Sequence, residues 1–378
     1  MQRRSVLLRL AHAVIGAITL ALASNSVAAA DIVLGQSAPM SGPFASMGND
    51  YRNGALLAFD EVNRSGGING RRISLITLDD GYNAERSMAN AKALIEEHKA
   101  ICFFNHMFTN TVLASLPIAA QAGLPYVGPY TGHPALYKGD QPLLFVTRAS
   151  FSAELNAILT YANTIGYRRI ALVYYDNKVG EELRADVQAG LALTGHSLHA
   201  SARMKVGGSA AAASAEIGQS QPDAVILGIS GSDAVKFIRD QVEHNYRPNY
   251  FARSLVSSNQ LHAELGPLAA GIVITQLVPS PFKPNVPVVR DYLRLLGQRN
   301  ARSQPSFVEL EGFINARFMV TVLRKVSGDV TRESLFKALD QSGKTDVGGY
   351  VIDFSGHNRM GSSRVELTML RANGTFAQ

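Results

Sequence analysis

Cysteine is almost absent: Cys102 stands alone among 378 residues. One thiol closes no intrachain disulfide, so the fold must rest on buried apolar surface. Cys102 lies in the run Ile101-Cys102-Phe103-Phe104, where it is expected to pack as a small hydrophobe. No cluster of lysine and arginine interleaves with aromatics. The formal charge of +6 is carried in part by Arg3, Arg4 and Arg9. What remains is a mildly basic surface and not a nucleic-acid footprint. After the first thirty residues no run is apolar and long enough to cross a bilayer. The motifs of a nucleophile elbow, a phosphate-binding loop and a zinc-protease helix are also missing. Gly228-Ile229-Ser230-Gly231 is too short for a dinucleotide fingerprint. Asp79 and Asp80 are adjacent, so on a strand they point to opposite faces and make no matched acid–base pair. His196 and His199 lie in a turn entering a strand, a poor frame for a metal. No cofactor, no metal and no catalysis are expected.

The first thirty residues carry an address. The three arginines precede an apolar stretch from Ala13 to Ala23, and Ala28-Ala29-Ala30 offers a small-residue cleavage site. Cleavage is expected after Ala30. Sec export and twin-arginine export both fit the Arg3-Arg4 start. No cysteine near the cleavage site offers a lipid anchor. The expected product is free in the periplasm.

Beyond the leader, strand-like runs alternate with helical spacing, the signature of α/β folding around parallel sheets. The spacing predicts strands at 32–38, 73–78, 101–104 and 125–127. It predicts helices near 48–63, 84–98 and 109–122. A second series of the same rhythm begins near Arg169, with strands at 170–175, 200–205 and 224–227 and helices at 180–193 and 233–243. The alanine-rich stretch to Ala215 opens a helix or a loop. A further helical block runs over 309–326, and Pro279–Pro284 reads as a surface turn. Two similar α/β lobes are the economical reading.

Several segments are similar to one known family. They are Ser41-Gly42-Pro43, Gly66-Gly67-Ile68-Asn69-Gly70-Arg71, Leu78-Asp79-Asp80, Gly123-Leu124-Pro125, Glu311-Gly312-Phe313, and the tail from Gly348-Gly349-Tyr350 to Val365-Glu366-Leu367. In this order and spacing the chain resembles the periplasmic type I solute-binding proteins of ABC importers, of the branched-chain amino acid (Leu/Ile/Val-binding) family. The resemblance implies two doubly wound Rossmann-like lobes joined by a three-strand hinge. It implies a first lobe of residues 31–147 with 278–346, and a second of 148–277 with 347–378. It also implies a monomer that captures an amino acid or a related small carboxylate or amide in the interlobe cleft and delivers it to an inner-membrane permease. A sensor feeding a membrane receptor is an alternative on the same fold.

Helix N-termini facing such a cleft present free N–H groups and partial positive charge, so a ligand carboxylate needs no buried arginine. Thr109, opening a helix, either caps it or holds a ligand oxygen, and Asn110 follows it. Tyr130, Thr131 and Gly132 lie in the loop after the fourth strand, where the resemblance places backbone and hydroxyl contacts. Tyr130 equally fits as cover for a lobe edge. Met47 falls where an apolar side chain covers the ligand, or packs in the core. In the second lobe Val179 stands in place of an aromatic ring and Ser230 in place of a tyrosine. No acid for a ligand ammonium group appears around Ser254–Ser257. Either Asp176 takes that role or the ligand lacks an α-amino group.

Overall fold

The computed structural model describes residues 30–137 and 141–377. The expected leader, apart from Ala30, lies outside the described residues.

The first sheet has the order β2-β1-β3-β4-β5 and is parallel throughout. Its strands are β1 (Ile32–Ala38), β2 (Ile73–Asp79), β3 (Cys102–Phe104), β4 (Tyr126–Val127) and β5 (Leu144–Phe145). Parallel strands need crossover connections, and helices α1 (Ala45–Arg64), α2 (Ala84–Glu96) and α3 (Thr109–Gln121) supply them. Cys102 is fully buried in the core of this lobe.

The second sheet has the order β14-β13-β10-β9-β8-β6-β7. Strands β6 (Ile170–Tyr175), β7 (Ala200–Met204), β8 (Ala224–Gly228), β9 (Asn249–Ala252) and β10 (Val273–Gln276) run parallel. The interleaved helices are α4 (Phe151–Thr164), α5 (Lys178–Ala192), α6 (Ala211–Gln219), α7 (Gly231–Glu243) and α8 (Ser258–Leu265). The alanine-rich stretch is therefore helical. Helix α4 was not marked in the sequence reading, although Leu155, Ile158, Leu159 and Ala162 form its buried stripe.

The chain then returns to the first lobe. Helices α9 (Pro287–Arg299), α10 (Phe307–Leu323) and α11 (Arg332–Asp340) join its core, together with the hairpin β11 (Lys344–Asp346) and β12 (Val351–Asp353). The expected surface turn at Pro279–Pro284 is only half correct. Pro279, Ser280 and Pro281 are buried where the chain crosses, and exposure begins at Lys283. The expected boundary at residue 347 also shifts. Val347, Tyr350, Ile352 and Phe354 pack in the first core, because β12 pairs with β11. The chain reaches β13 (Glu366–Leu370) and β14 (Phe376–Ala377), both antiparallel additions, only after that hairpin.

Three crossing segments lie against one another. The Val146 N–H donates to Arg359 O at 2.9 Å and the Gly361 N–H to Val146 O at 2.7 Å. The Tyr350 hydroxyl donates to Leu277 O at 3.0 Å. Each lobe is thus built from separate stretches of chain.

Helices α1 and α10 meet backbone to backbone. A Cβ added at Gly54 would lie 1.8 Å from Glu309 O, and one at Gly312 would lie 2.1 Å from Tyr51 O. Gly54→Ala and Gly312→Ala should each cost about 1–3 kcal/mol through overpacking. Urea unfolding measures this, and an unchanged midpoint in either variant would show that the two helices separate freely.

Candidate functional site

In both lobes the parallel strands end at the seam, and the loops leaving their carboxyl ends build a cavity there. It is lined from both lobes and partly open to solvent. The first lobe contributes Phe44 after β1, Tyr82 after β2, and Phe108 and Thr109 after β3. The second contributes Phe151, Tyr175, Asn177, Val179, Ser230 and Arg253. Leu183, Leu227, Leu255 and Val256 complete an apolar wall. No aspartate or glutamate belongs to this lining among the described residues.

The local backbone explains how these groups are presented. Phe108 holds φ at +66°, a region that L-residues rarely adopt, just before α3 begins. Its ring meets Phe44 at 4.9 Å between centroids. Helix α3 starts with no side-chain cap at Thr109, which lines the cavity, so its first N–H groups lack a side-chain partner there. Helix α7 also starts uncapped at Ser230. There the Tyr175 hydroxyl accepts the Ser230 N–H at 3.0 Å. The Ser41–Phe44 turn is anchored by Asp79, which accepts from Met40 N at 2.8 Å and from the Ser41 hydroxyl at 2.6 Å. Partial burial opposes the charge of Asp79, yet these bonds, with those from Gly81 and Arg86, hold its carboxyl down at about 2.

Arg253 is the main electrostatic feature of the wall. It is 8% exposed and lies over the Phe151 ring, 4.2 Å from its centroid. Among the described residues its guanidinium has no hydrogen bond or ion pair. Burial works against its charge and lowers its pKa, partly offset by Glu154 and Asp186. A guanidinium largely withdrawn from bulk water and left without protein acceptors is costly. Its five N–H donors suit an incoming carboxylate.

The sequence candidates divide into three groups. Thr109, Val179 and Ser230 line the cavity. Four others support it from behind. The Thr131 hydroxyl shares a 2.8 Å bond with that of Thr109, and Asn110 Nδ2 donates to Tyr82 O at 3.1 Å. The Tyr130 hydroxyl donates to Ser254 O of the opposite lobe at 2.8 Å. Gly132 O accepts from Phe151 N at 2.8 Å. Met47 is fully buried in the core with Phe44 and Tyr51, because its helix turns that face inward. Asp176 lies outside the lining and faces Arg203, 3.8 Å away. It is therefore misplaced to neutralise a ligand ammonium.

The sequence reading missed Arg253 and the aromatic wall. It dispensed with a buried arginine and searched its loop for an acid from Ser254 onward. The available signal was a charged side chain directly after the apolar strand β9, in Phe251-Ala252-Arg253.

The lobes are closed on one another. His133 Nε2 lies 2.8 Å from Glu182 Oε2 across the seam. Gly231 approaches the first lobe so closely that an added Cβ would lie 2.3 Å from Pro43 O, and its φ of +58° disfavours a side chain as well. Gly231→Ala should hold the lobes apart. Small-angle scattering would then give a larger radius of gyration than for the parent protein. An equal radius for both would mean that the seam yields.

The profile of the family described as periplasmic binding protein matches residues 31–375. A protein from Pseudomonas aeruginosa named "Amino acid binding protein" is 34% identical over 121 residues, covering 30% of this chain and 32% of that protein. "Leu/Ile/Val-binding protein homolog 7" from Brucella suis is 23% identical over 375 residues, covering 93% of this chain and 92% of that protein. The crystal structure of a substrate-binding periplasmic protein from Ralstonia solanacearum superimposes with a TM-score of 0.86 at 29% identity, covering 92% of this chain and 99% of that one.

Proposed function

Because the chain belongs to the periplasmic binding protein family, we propose that this solute-binding protein captures an organic carboxylate with an apolar body and no α-ammonium group. One observation carries the reading: Arg253 is buried in the interlobe cavity without an acceptor among the described residues. In the proposed complex the ligand carboxylate takes the Arg253 donors, together with the α3 N-terminus and the Thr109 hydroxyl. The aromatic and aliphatic wall takes the ligand body. The lining holds no acid to offset an ammonium, and an ammonium buried unpaired costs several kcal/mol.

The proposed cycle is physical, with no bond made or broken. Ligand docks on the first lobe, the second closes over it, and the closed state is favoured only by the contacts it adds. The closed, loaded form then delivers its cargo to an ABC permease in the inner membrane. Export to the periplasm as a monomer completes the reading. Sensing through a membrane receptor would use the same closure. A permease and ATPase encoded beside this chain would favour transport, and a histidine kinase would favour sensing.

A second reading, capture of an amino acid, draws on the names of the relatives from Pseudomonas aeruginosa and Brucella suis. A thermal-shift screen separates the two. Benzoate, phenylacetate and 4-methylpentanoate, each set against its amide, are compared with phenylalanine and leucine. The carboxylates should stabilise the protein, by about 2.7 kcal/mol at a hundredfold excess over Kd. Their amides and the amino acids should not. Arg253→Leu should weaken carboxylate binding by about 2–5 kcal/mol, thirtyfold or more, as truncation of a buried charged partner does. Thr109→Ala should weaken it less, by about 1 kcal/mol. Tighter binding of leucine than of 4-methylpentanoate would sink the proposal.

A further inference from the structure

A second group of buried charges lies behind the cavity. Arg148, at the first crossing, is 1% exposed. Its Nη2 donates to Ser254 Oγ at 2.5 Å, and its guanidinium carbon lies 4.0 Å over the Tyr130 ring. Its Nε is 3.4 Å from Glu311 Oε1 of α10, without hydrogen-bonding geometry. From the second lobe, Glu154 Oε2 accepts the Ser254 N–H at 2.7 Å and the Thr275 hydroxyl at 2.5 Å. Ser254 adjoins Arg253, so the loop that presents one guanidinium to the cavity is pinned by the other. Arg148 is in this sense a positioning residue.

Among the buried charges, Arg148 and Arg253 stand against the carboxyl groups of Glu154 and Glu311, and the exposed Asp186 also faces Arg253. A bound carboxylate adds one negative charge to a largely buried place that water screens weakly. A proton on one of the two carboxyl groups offsets it. Glu154 is held by two donors to one oxygen, whereas Glu311 accepts no hydrogen bond among the described residues. The groups facing Glu311 are Arg148, Glu154 and the hydroxyls of Tyr51, Tyr130 and Tyr350. We infer that capture of a carboxylate at Arg253 is coupled to uptake of one proton by Glu311, across the hinge. Burial already raises the Glu311 carboxyl to about 7, with Arg148 opposing the rise and Glu154 adding to it. The inference rests on the carboxylate reading above.

Because the loaded form holds the extra proton, binding tightens as pH falls. The association constant should rise by up to about tenfold per pH unit as pH falls from roughly 8 to 7, and level off below that. Calorimetry of the whole exported chain at about pH 7.5 reads the proton directly. The probe is the tightest of benzoate, phenylacetate and 4-methylpentanoate, titrated in phosphate, HEPES and Tris, whose ionisation enthalpies differ. The observed enthalpy should change with buffer in the sense of uptake. In Glu311→Gln that dependence and the pH slope should vanish while binding persists. An enthalpy independent of buffer in the parent protein overturns the coupling, whether or not the variant folds. Uptake persisting in Glu311→Gln also overturns it, by placing the proton elsewhere, for instance on His133, which faces Arg253 beside Glu182. Failure of all three carboxylates to bind overturns the carboxylate reading, and the coupling with it.

Discussion

Removing a guanidinium from water without giving it acceptors is among the costlier acts in a protein interior. Arg253 comes close to that condition: stacked on Phe151 and 8% exposed, it meets only the water of the cavity. The rest of the cavity follows from this constraint. Its walls are apolar and aromatic, so an arriving anion finds a low-dielectric site in which one charge-assisted pair counts for more than it would in water. The uncapped N-terminus of α3 at Thr109 adds positive potential, whereas that of α7 is offset by the buried Asp233 in its first turn.

The hinge is more than a set of linkers. The first crossing segment carries Arg148, whose side chain reaches Ser254 of the second lobe and Glu311 of the first. The ligand-facing loop, the crossing segment and helix α10 are thereby joined through one buried cation. Gly231 and Pro43 also meet across the seam, where only a glycine allows the approach. Closure thus brings together surfaces fitted to each other by charge at one place and by the lack of a side chain at another.

Most of the fold was legible in the chain. Strands β1 and β6 match the spacing expected of them residue for residue, because an unbroken apolar run bounded by turn residues has few other uses in an α/β protein. Helix α3 begins at Thr109 as expected. The crossings were harder to place. Val347–Phe354 looks like a departing strand, yet it is held in the first core by pairing between β11 and β12, which lies outside any local pattern. The site was only partly legible. Thr109, Val179 and Ser230, which the family resemblance brought forward, all line the cavity. Asp176 follows the end of β6, but the turn into α5 aims it at Arg203. Arg253 was passed over because a lone arginine after a strand looks the same whether it points to water or to a cavity.

Periodicity, turn chemistry and the order of small motifs, all local properties of the covalent chain, determined by themselves that this protein would be two lobes of alternating strand and helix. Which side chains share the cavity was decided only in three dimensions. Phe44, Thr109 and Arg253 lie far apart along the chain, the first two in one lobe and Arg253 in the other. Their meeting depends on how two separately built sheets close on one another, and burial by a distant surface leaves no mark on the sequence around the residue it buries.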